Sequence, residues 1–258
     1  MASCLRQAEA ERSIKHARAI SIMTALAITI SKELCALASL ETSVLLQRFF
    51  KTGPGQYGEG DVFLGIKVPP LRALAKQYRD IDLSTIGSLL NSKYHEERLF
   101  AVLLLMQFYQ RGSDKDQAAA YDLYLSNTRR INNWDLVDVS APHILGHYLQ
   151  ARPRNILHRL ACSESLWERR IAILATFHFI RQNDFDDTLR IARTLLHDEH
   201  DLMHKAVGWM LREVGKRDLT IEESFLLKHY HDMPRTMLRY AIERFPETRR
   251  KEFLNGSA

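Results

Sequence analysis

The sequence predicts an all-α protein in which antiparallel helix pairs stack into a solenoid with a concave basic groove. Past residue 40, apolar residues recur three and four positions apart in one segment after another, which is the spacing of an amphipathic helix. No alternating strand pattern of useful length occurs. Trp134, Trp167 and Trp209 fall roughly one helical pair apart, which suits a HEAT-like repeat of about 40 residues.

Helical periodicity recurs in nine segments that are joined by short polar connections. In chain order these segments are "LRALAKQY", "EERLFAVLLLMQFYQ", "QAAAYDLYLSNT", "WDLVDVSAPHILGHYL", "ESLWERRIAILATFHFIRQ", "DDTLRIARTLLHD", "DLMHKAVGWMLREVGKR", "IEESFLLKHYH" and "RTMLRYAIERF". So many helices exceed a simple four-helix bundle, whereas pairs stacked into a curved solenoid accommodate them.

Several helix starts carry local signals. Ser165 with Glu168, and Thr220 with Glu223, fit the capping box, in which a hydroxyl and a carboxylate satisfy the first amides of a helix. Prolines near first-turn positions mark three further starts: Pro70, Pro234 and Pro246.

Composition limits the class of protein and suggests a partner. At 258 residues with 46% hydrophobic residues, the chain can bury a sizeable core, which excludes a disordered protein. Lys and Arg number 36 against 31 Asp and Glu, so the net charge is +5. The resulting pI near 9.1 favours an anionic partner, and nucleic acid is the leading candidate.

The cysteines indicate a reducing environment. Cys4, Cys35 and Cys162 are odd in number, widely spaced and free of CxxC pairs. This pattern favours neither a disulfide framework nor a cysteine zinc site, so we expect a cytoplasmic protein.

The N-terminal segment is set apart from the repeats. "AISIMTALAITI", residues 19–30, is too short to span a bilayer, starts late for a signal peptide and lacks a convincing cleavage site. We therefore expect a leader helix or extension over residues 1–40 and a single HEAT-like domain over residues 41–258. A monomer with no membrane partner is the simplest expectation.

One helix presents a cationic stripe around an indole. Lys205, Trp209, Arg212 and Lys216 follow the spacing four, three, four, so they share one helical face. Trp167 and Arg170 share a face in the same way. Cations neutralise phosphates and an indole offers a flat apolar face, so these residues are candidates for DNA contact. The alternative is an ordinary solvated face with a half-buried tryptophan.

The stretch "NNWDLVD" places an indole beside a carboxylate. Trp134 precedes Asp138 by four positions, which puts both side chains on one helical face about a turn apart. Packing of the indole, and capping or ion pairing of the acid, is a sufficient structural explanation. In a solenoid, however, equivalent helices bring Trp134, Asp138, Arg170 and Trp209 into one groove.

Other site types find weaker support. The segment "KTGPGQYGEGD" lacks the ending of a phosphate-binding loop and favours a flexible connection. His143 with His147, and His200 with His204, are four apart but lack the HExxH glutamate, so we expect packing histidines and no metal. No GxSxG motif occurs.

Four blocks in order resemble one family. "FLGIKVPPLR", "INNWDLVDVSAPHILG", "WERRIAIL" and "HKAVGWMLREVGKRD" are similar to the AlkD-type DNA alkylation repair proteins, which are HEAT-repeat DNA glycosylases. The resemblance covers about residues 45 to 253. It implies that Trp134, Asp138 and Trp209 are catalytic-pocket residues and that Arg170 is an active-site arginine. Leu202 stands where some members carry a second aromatic residue.

The resemblance implies a repair reaction without a cofactor. The family removes N3- and N7-alkylated purines from double-stranded DNA and is thought to do so without flipping the base. A fixed carboxylate at Asp138 would then stabilise the oxocarbenium-like sugar, and Lys205, Arg212, Lys216 and Trp167 would contact the DNA. A HEAT-like scaffold that binds DNA or protein without catalysis is the alternative function.

Overall fold

The computed structural model describes residues 25–258, and this part of the chain is helical throughout. Its only extended pairing is an isolated bridge between Val62 and Tyr94. The prediction of an all-α protein is therefore confirmed for the described residues. The chain divides into two compact units, Met1–Asp116 and Gln117–Ala258, with the division inside one helix. The division of the sequence at residue 40 stays a prediction.

Unit 1 packs its helices around one long buried helix. Its elements are α1 (residues 25–36), α2 (Leu40–Phe49), α3 (Val68–Ala75), α4 (Leu83–Leu90) and α5 (His95–Arg111). α3 and α4 both pack on α5, whose first eleven residues are all buried. Ser39 and Asp82 cap α2 and α4 with side-chain oxygens, which satisfies the first free amides of each helix.

A buried carboxylate fixes the first of the four sequence blocks. Glu96 accepts backbone hydrogen bonds from Leu64, Gly65 and Ile66 at 2.8, 2.8 and 3.1 Å. Gly65 has φ +85°, and a Cβ there would stand 2.1 Å from the carbonyl oxygen of Ser39. Only glycine suits this position, so the "FLGIK" turn depends on both residues.

Unit 2 contains the remaining elements. α6 (Asp114–Ser126) crosses the division, and after it come α7 (Trp134–Ser140), a π-turn (Pro142–Gly146), α8 (Asn155–Ala161), α9 (Leu166–Ala175), α10 (Phe177–Arg181), α11 (Asp186–Thr194), α12 (Asp201–Gly215), α13 (Leu219–His229), α14 (Arg235–Ala241), a 3₁₀ turn (Ile242–Arg244) and α15 (Glu247–Asn255).

Alternate helices of unit 2 form one layer. α7 packs on α9, α9 on α12 and α12 on α14, while α8, α11 and α13 each pack against a member of this row. This is the arrangement of stacked helix pairs. Two glycines permit close approach: a Cβ at Gly146 would stand 2.4 Å from the carbonyl oxygen of Ala175, and one at Gly208 equally close to that of Met237.

The predicted helix starts are partly right. Ser165 caps α9 through its hydroxyl, which accepts from the Glu168 amide, while the Glu168 carboxylate binds other hydroxyls instead of completing the box. The cap at Thr220 is wrong. Asp218 caps α13, because its carboxylate accepts from the Ile221 amide. A carboxylate two residues upstream competes well for that position.

The leader predicted over residues 1–40 lies partly outside the described residues, since residues 1–24 are not described. Residues 25–36 are helical, and Ile30 and Leu34 are fully buried. The hydroxyl of Ser31 bonds the carboxylate of Glu97, which is on α5. This portion is therefore part of unit 1. In the described range, every helix is too short or too polar to cross a bilayer.

Candidate active site

A bidentate ion pair joins two helices of the unit 2 layer. Arg170 on α9 donates from Nε to Oδ1 of Asp138 and from Nη2 to Oδ2, both at 2.8 Å. The side chains are only 6% and 17% exposed. Two parallel N–H···O bonds in a dry setting fix the plane of the carboxylate, so Asp138 has one orientation.

The same arginine reaches a third helix. Its Nη1 donates to the carbonyl oxygen of Leu202 on α12 at 2.7 Å. That carbonyl lies in the first turn of α12, so Arg170 connects α7, α9 and α12 at one level. The sequence block "WERRIAIL" thus contributes Arg170, whose hold on Asp138 we call the clamp. Leu202 contributes its backbone carbonyl rather than its side chain.

Two effects act in opposite directions on the Asp138 carboxyl. Burial raises its pKa, because a charged carboxylate loses hydration. The guanidinium of Arg170 acts against burial by charge and by hydrogen bonding, and nearby Asp135 adds to the upward shift. The net direction is a raised pKa.

The backbone around Asp138 is also unusual. Pro142 follows it by four positions and has no N–H, so the Asp138 carbonyl lacks the donor of a regular α-helix. A π-turn begins at Pro142, and Gly146 donates to the Ala141 carbonyl at 3.0 Å. Turns of this kind are rare and concentrate at functional sites.

Trp134 is the first residue of α7 and is half-buried. Its amide donates to the side chain of buried Asn133 at 2.9 Å, which anchors the start of the helix. Trp134 and Asp138 are four apart within α7, so the predicted common face is consistent with the structure.

Trp209 meets a different set of partners. Its Nε1 donates to Glu213 at 3.0 Å, and its ring lies 5.9 Å from that of Phe177 on α10. Trp209 is seven residues beyond Leu202, about two turns along the same face of α12, which is roughly 10 Å. The ring of Trp209 therefore contacts Phe177, which comes seven residues, or about two helical turns, after Arg170.

The predicted cationic stripe is real in its spacing, but its charges are neutralised. Each of the three cations has a carboxylate partner: Lys205 has Asp201 at 2.7 Å, Lys216 has Glu213 at 2.6 Å, and Arg212 has Glu243. The sequence analysis did not foresee these partners, and contact of the stripe with DNA stays a prediction. An anionic ligand would have to compete with these carboxylates for the cations.

Comparison with known proteins identifies the family. The model of the DNA alkylation repair enzyme family matches residues 30–245, which is most of the chain. The chain belongs to this family. The match begins within α1, so the resemblance drawn from residue 45 onward was too narrow at its start. No curated protein is a significant match.

Two solved structures share the fold of this family member. A predicted DNA alkylation repair enzyme from Enterococcus faecalis has a TM-score of 0.63 and 18% identity, over 81% of this chain and 97% of that one. AlkD2 from Streptococcus mutans has a TM-score of 0.51 and 16% identity, over 80% and 98%. The predicted solenoid of stacked helix pairs is thereby confirmed, while the roles of the site residues stay predictions.

Some residues near the candidate active site stabilise the scaffold. Trp167 is half-buried one turn before Arg170 on α9. Arg169 pairs instead with Asp198 at 2.6 Å. His200 caps α12 by accepting from the Leu202 amide, so it serves the helix start. Among the described residues, no cluster of three His, Cys, Asp or Glu side chains suits a metal.

Sequence reasoning missed four partners of the site. Glu213 is four residues after Trp209 and three before Lys216, and Asp201 is four before Lys205, so helical spacing alone would have revealed both carboxylates. Glu243 and Phe177 come from other helices. Their contacts depend on tertiary packing, which no local pattern encodes.

Proposed function

We propose that this protein is a monofunctional DNA glycosylase that excises cationic N3- and N7-alkylated purines from double-stranded DNA. The observation that carries the proposal is the buried Asp138 carboxylate, which Arg170 holds in one orientation beside Trp134. Membership of the DNA alkylation repair enzyme family supports it.

This reaction needs a fixed negative charge more than it needs a general acid. Alkylation at N3 or N7 makes the base cationic, so the base leaves as a neutral molecule with the electrons of the N-glycosidic bond. Positive charge then develops on the deoxyribose. A preoriented carboxylate stabilises that charge where it appears, because its dipoles need no rearrangement during the reaction. Water adds to C1′ of the sugar and releases its proton, which completes the hydrolysis.

The clamp suits this task because it keeps the carboxylate charged in a dry place. Burial alone would favour the neutral acid, and a neutral acid would not stabilise a cation. Arg170 opposes the effect of burial on the pKa of Asp138. The side of the carboxylate away from Arg170 would face the sugar. The π-faces of Trp134 and Trp209 would attract the cationic sugar and lesion.

DNA contact falls to the cations on α12 and to Trp167. Lys205, Arg212 and Lys216 are held by carboxylates, so they would exchange those partners for phosphates on binding. The site lies on helix faces and would act without base flipping. Neither a metal nor a cofactor takes part in this reaction, and the reduced thiols of Cys35 and Cys162 fit a cytoplasmic location.

The test is single-turnover release of 7-methylguanine from duplex DNA. Asp138→Asn keeps the shape of the side chain but removes its charge, so we expect release to be lost while DNA affinity stays nearly intact. Asp135→Asn is the matched control: Asp135 lies on the same helix, its side chain accepts from the Leu136 amide, and loss of its charge favours the charged form of Asp138.

Two results would contradict the proposal. Base release by Asp138→Asn at the wild-type rate would remove the electrostatic role. Binding of DNA by the wild type with no release of any alkylated base would instead support a non-catalytic DNA-binding scaffold.

A further inference from the structure

A cluster of histidines lies at the ends of two adjoining helical segments in unit 2. We use "histidine cluster" for His143, His147 and His178 together with Arg181. The rings of His147 and His178 meet edge to face, with centroids 5.3 Å apart. Gly146 permits this approach, because a Cβ there would lie 2.6 Å from the Cβ of His178.

Positive groups surround His178. His143 and His147 face it from the π-turn segment, Arg181 from its own helix and Arg154 from the loop before α8. Burial, with these four groups adding to its effect, lowers the pKa of His178 to about 4. Burial also lowers the pKa of His143, with help from Arg181 and His147. Burial and the surrounding cations therefore both oppose protonation of His178.

Arg181 differs from three other arginines of unit 2. The guanidinium groups of Arg154, Arg169 and Arg170 all pair with carboxylates. The guanidinium of Arg181 stacks on the ring of Phe177 at 4.2 Å, and it forms no ion pair with any described carboxylate. Its carbonyl oxygen accepts from Nη2 of Arg217 at 3.0 Å, which adds a further cation.

The cluster lies on the same side of the layer as the candidate active site. Arg170, Phe177 and Arg181 follow the spacing seven and four, so they share one face of the α9–α10 segment. Eleven residues at the helical rise place Arg181 about 16 Å from Arg170. Phe177, whose ring contacts that of Trp209, comes between the two on this face. A duplex held at the first point reaches the second.

We propose that the histidine cluster is an anion site that binds a backbone phosphate of DNA and takes up a proton as the phosphate arrives. The proposal rests on the proposed function for the identity of the polymer. A phosphate beside His178 and Arg181 brings a negative charge next to these groups, so an imidazole becomes protonated in the complex. Affinity then rises as pH falls through the pKa of the bound histidine, and levels off below the pKa of the free one.

The first experiment uses sulfate as a probe, since it stays fully charged over the range in which histidine titrates. Histidine ring protons are followed by NMR against pH, in sulfate and in chloride at equal ionic strength. We expect sulfate to raise the pKa of His178 by about one pH unit. His229, which lies on α13, is the internal control, because burial and Arg193 on α11 also lower its pKa. An equal response of both histidines, or none, overturns the proposal.

The second experiment measures affinity for a short undamaged duplex from about pH 7 down to about pH 4, so that the range includes the pKa of the free and of the bound histidine. Wild-type affinity should rise by up to about tenfold per pH unit. His147→Gln/His178→Gln should flatten this dependence, and Arg181→Gln should reduce the salt slope by about one. His229→Gln and Arg193→Gln should behave as wild type. If the double variant fails to fold, His147→Gln alone, at an exposed position, provides the same test.

The outcomes separate the two proposals. If the duplex pH dependence survives in the histidine variants, the anion site is wrong, whatever the protein does to alkylated bases. If sulfate and duplex give the expected results but the wild type releases no 7-methylguanine, the anion site stands and the glycosylase is wrong.

Discussion

Arg170 donates one hydrogen bond to each oxygen of Asp138 at 2.8 Å and a third, at 2.7 Å, to the carbonyl of Leu202. One guanidinium therefore fixes the candidate catalytic carboxylate and the start of α12 together. A planar fork is needed for this geometry, and a lysine ammonium cannot reproduce it.

Arg170→Lys should move the pH dependence of base release. The guanidinium opposes the effect of burial, so its replacement by a single ammonium lets the pKa of Asp138 rise further. In the proposed mechanism the carboxylate is the active form, so activity should be lost as pH falls through its pKa. The acid limb of the single-turnover rate should therefore shift to higher pH. Arg169→Lys, which affects the Asp198 pair next door, is the control. An unshifted limb would mean that the clamp does not set the charge of Asp138.

Helical periodicity was enough to predict the helix pairs and the shared face of Trp134 and Asp138, because both depend on local spacing. The N-cap of α13 was harder to predict, since Asp218 and Thr220 both suit a helix start. Only the folded backbone shows that Asp218 is the cap. The cationic stripe shows the main limit. Its spacing is local, but the Glu243 that neutralises Arg212 is on another helix, so charge availability required the tertiary structure.

Glu243→Gln should strengthen DNA binding. The exposed carboxylate of Glu243 pairs with Arg212, and phosphate has to compete with it. Removing that charge frees Arg212 and reduces repulsion of the DNA. We expect tighter binding and a salt slope steeper by about one, measured by fluorescence anisotropy at several salt concentrations. Glu247→Gln, which releases Lys251 from an exposed pair on α15, is the control for net charge. Equal effects of both variants would assign the gain to net charge alone.

Glu222→Gln should remove a pH dependence of stability. Glu222 is 2% exposed, and one of its carboxyl oxygens has no hydrogen-bond partner among the described residues. Its pKa is raised to about 8, chiefly by burial, while Arg212 opposes the rise and Glu223 adds to it. The folded state then holds a proton that the unfolded chain releases near the ordinary glutamate pKa. Stability therefore falls as pH rises between these two values, by up to about 1.4 kcal/mol per pH unit.

Urea unfolding at both ends of this window tests the assignment. The wild type should lose stability toward about pH 8, while Glu222→Gln should change less, since an amide has no proton to release. Glu247→Gln, at an exposed pair with Lys251, is the control. Parallel pH curves for wild type and Glu222→Gln would place the titrating group elsewhere.

Gly208→Ala should destabilise unit 2, against the usual effect of this substitution. Alanine in a helix interior is normally favoured over glycine by about 1 kcal/mol. At Gly208, however, the added Cβ would stand 2.4 Å from the Met237 carbonyl oxygen and 2.6 Å from the Cβ of Tyr240. α12 and α14 would have to separate, at a cost of about 1–3 kcal/mol. Because α12 also carries Trp209, DNA affinity and base release should fall together with the midpoint of thermal unfolding. Gly53→Ala meets only a flexible glutamine side chain and should leave stability nearly unchanged. A stabilised Gly208→Ala would show that the two helices are not held together at this glycine.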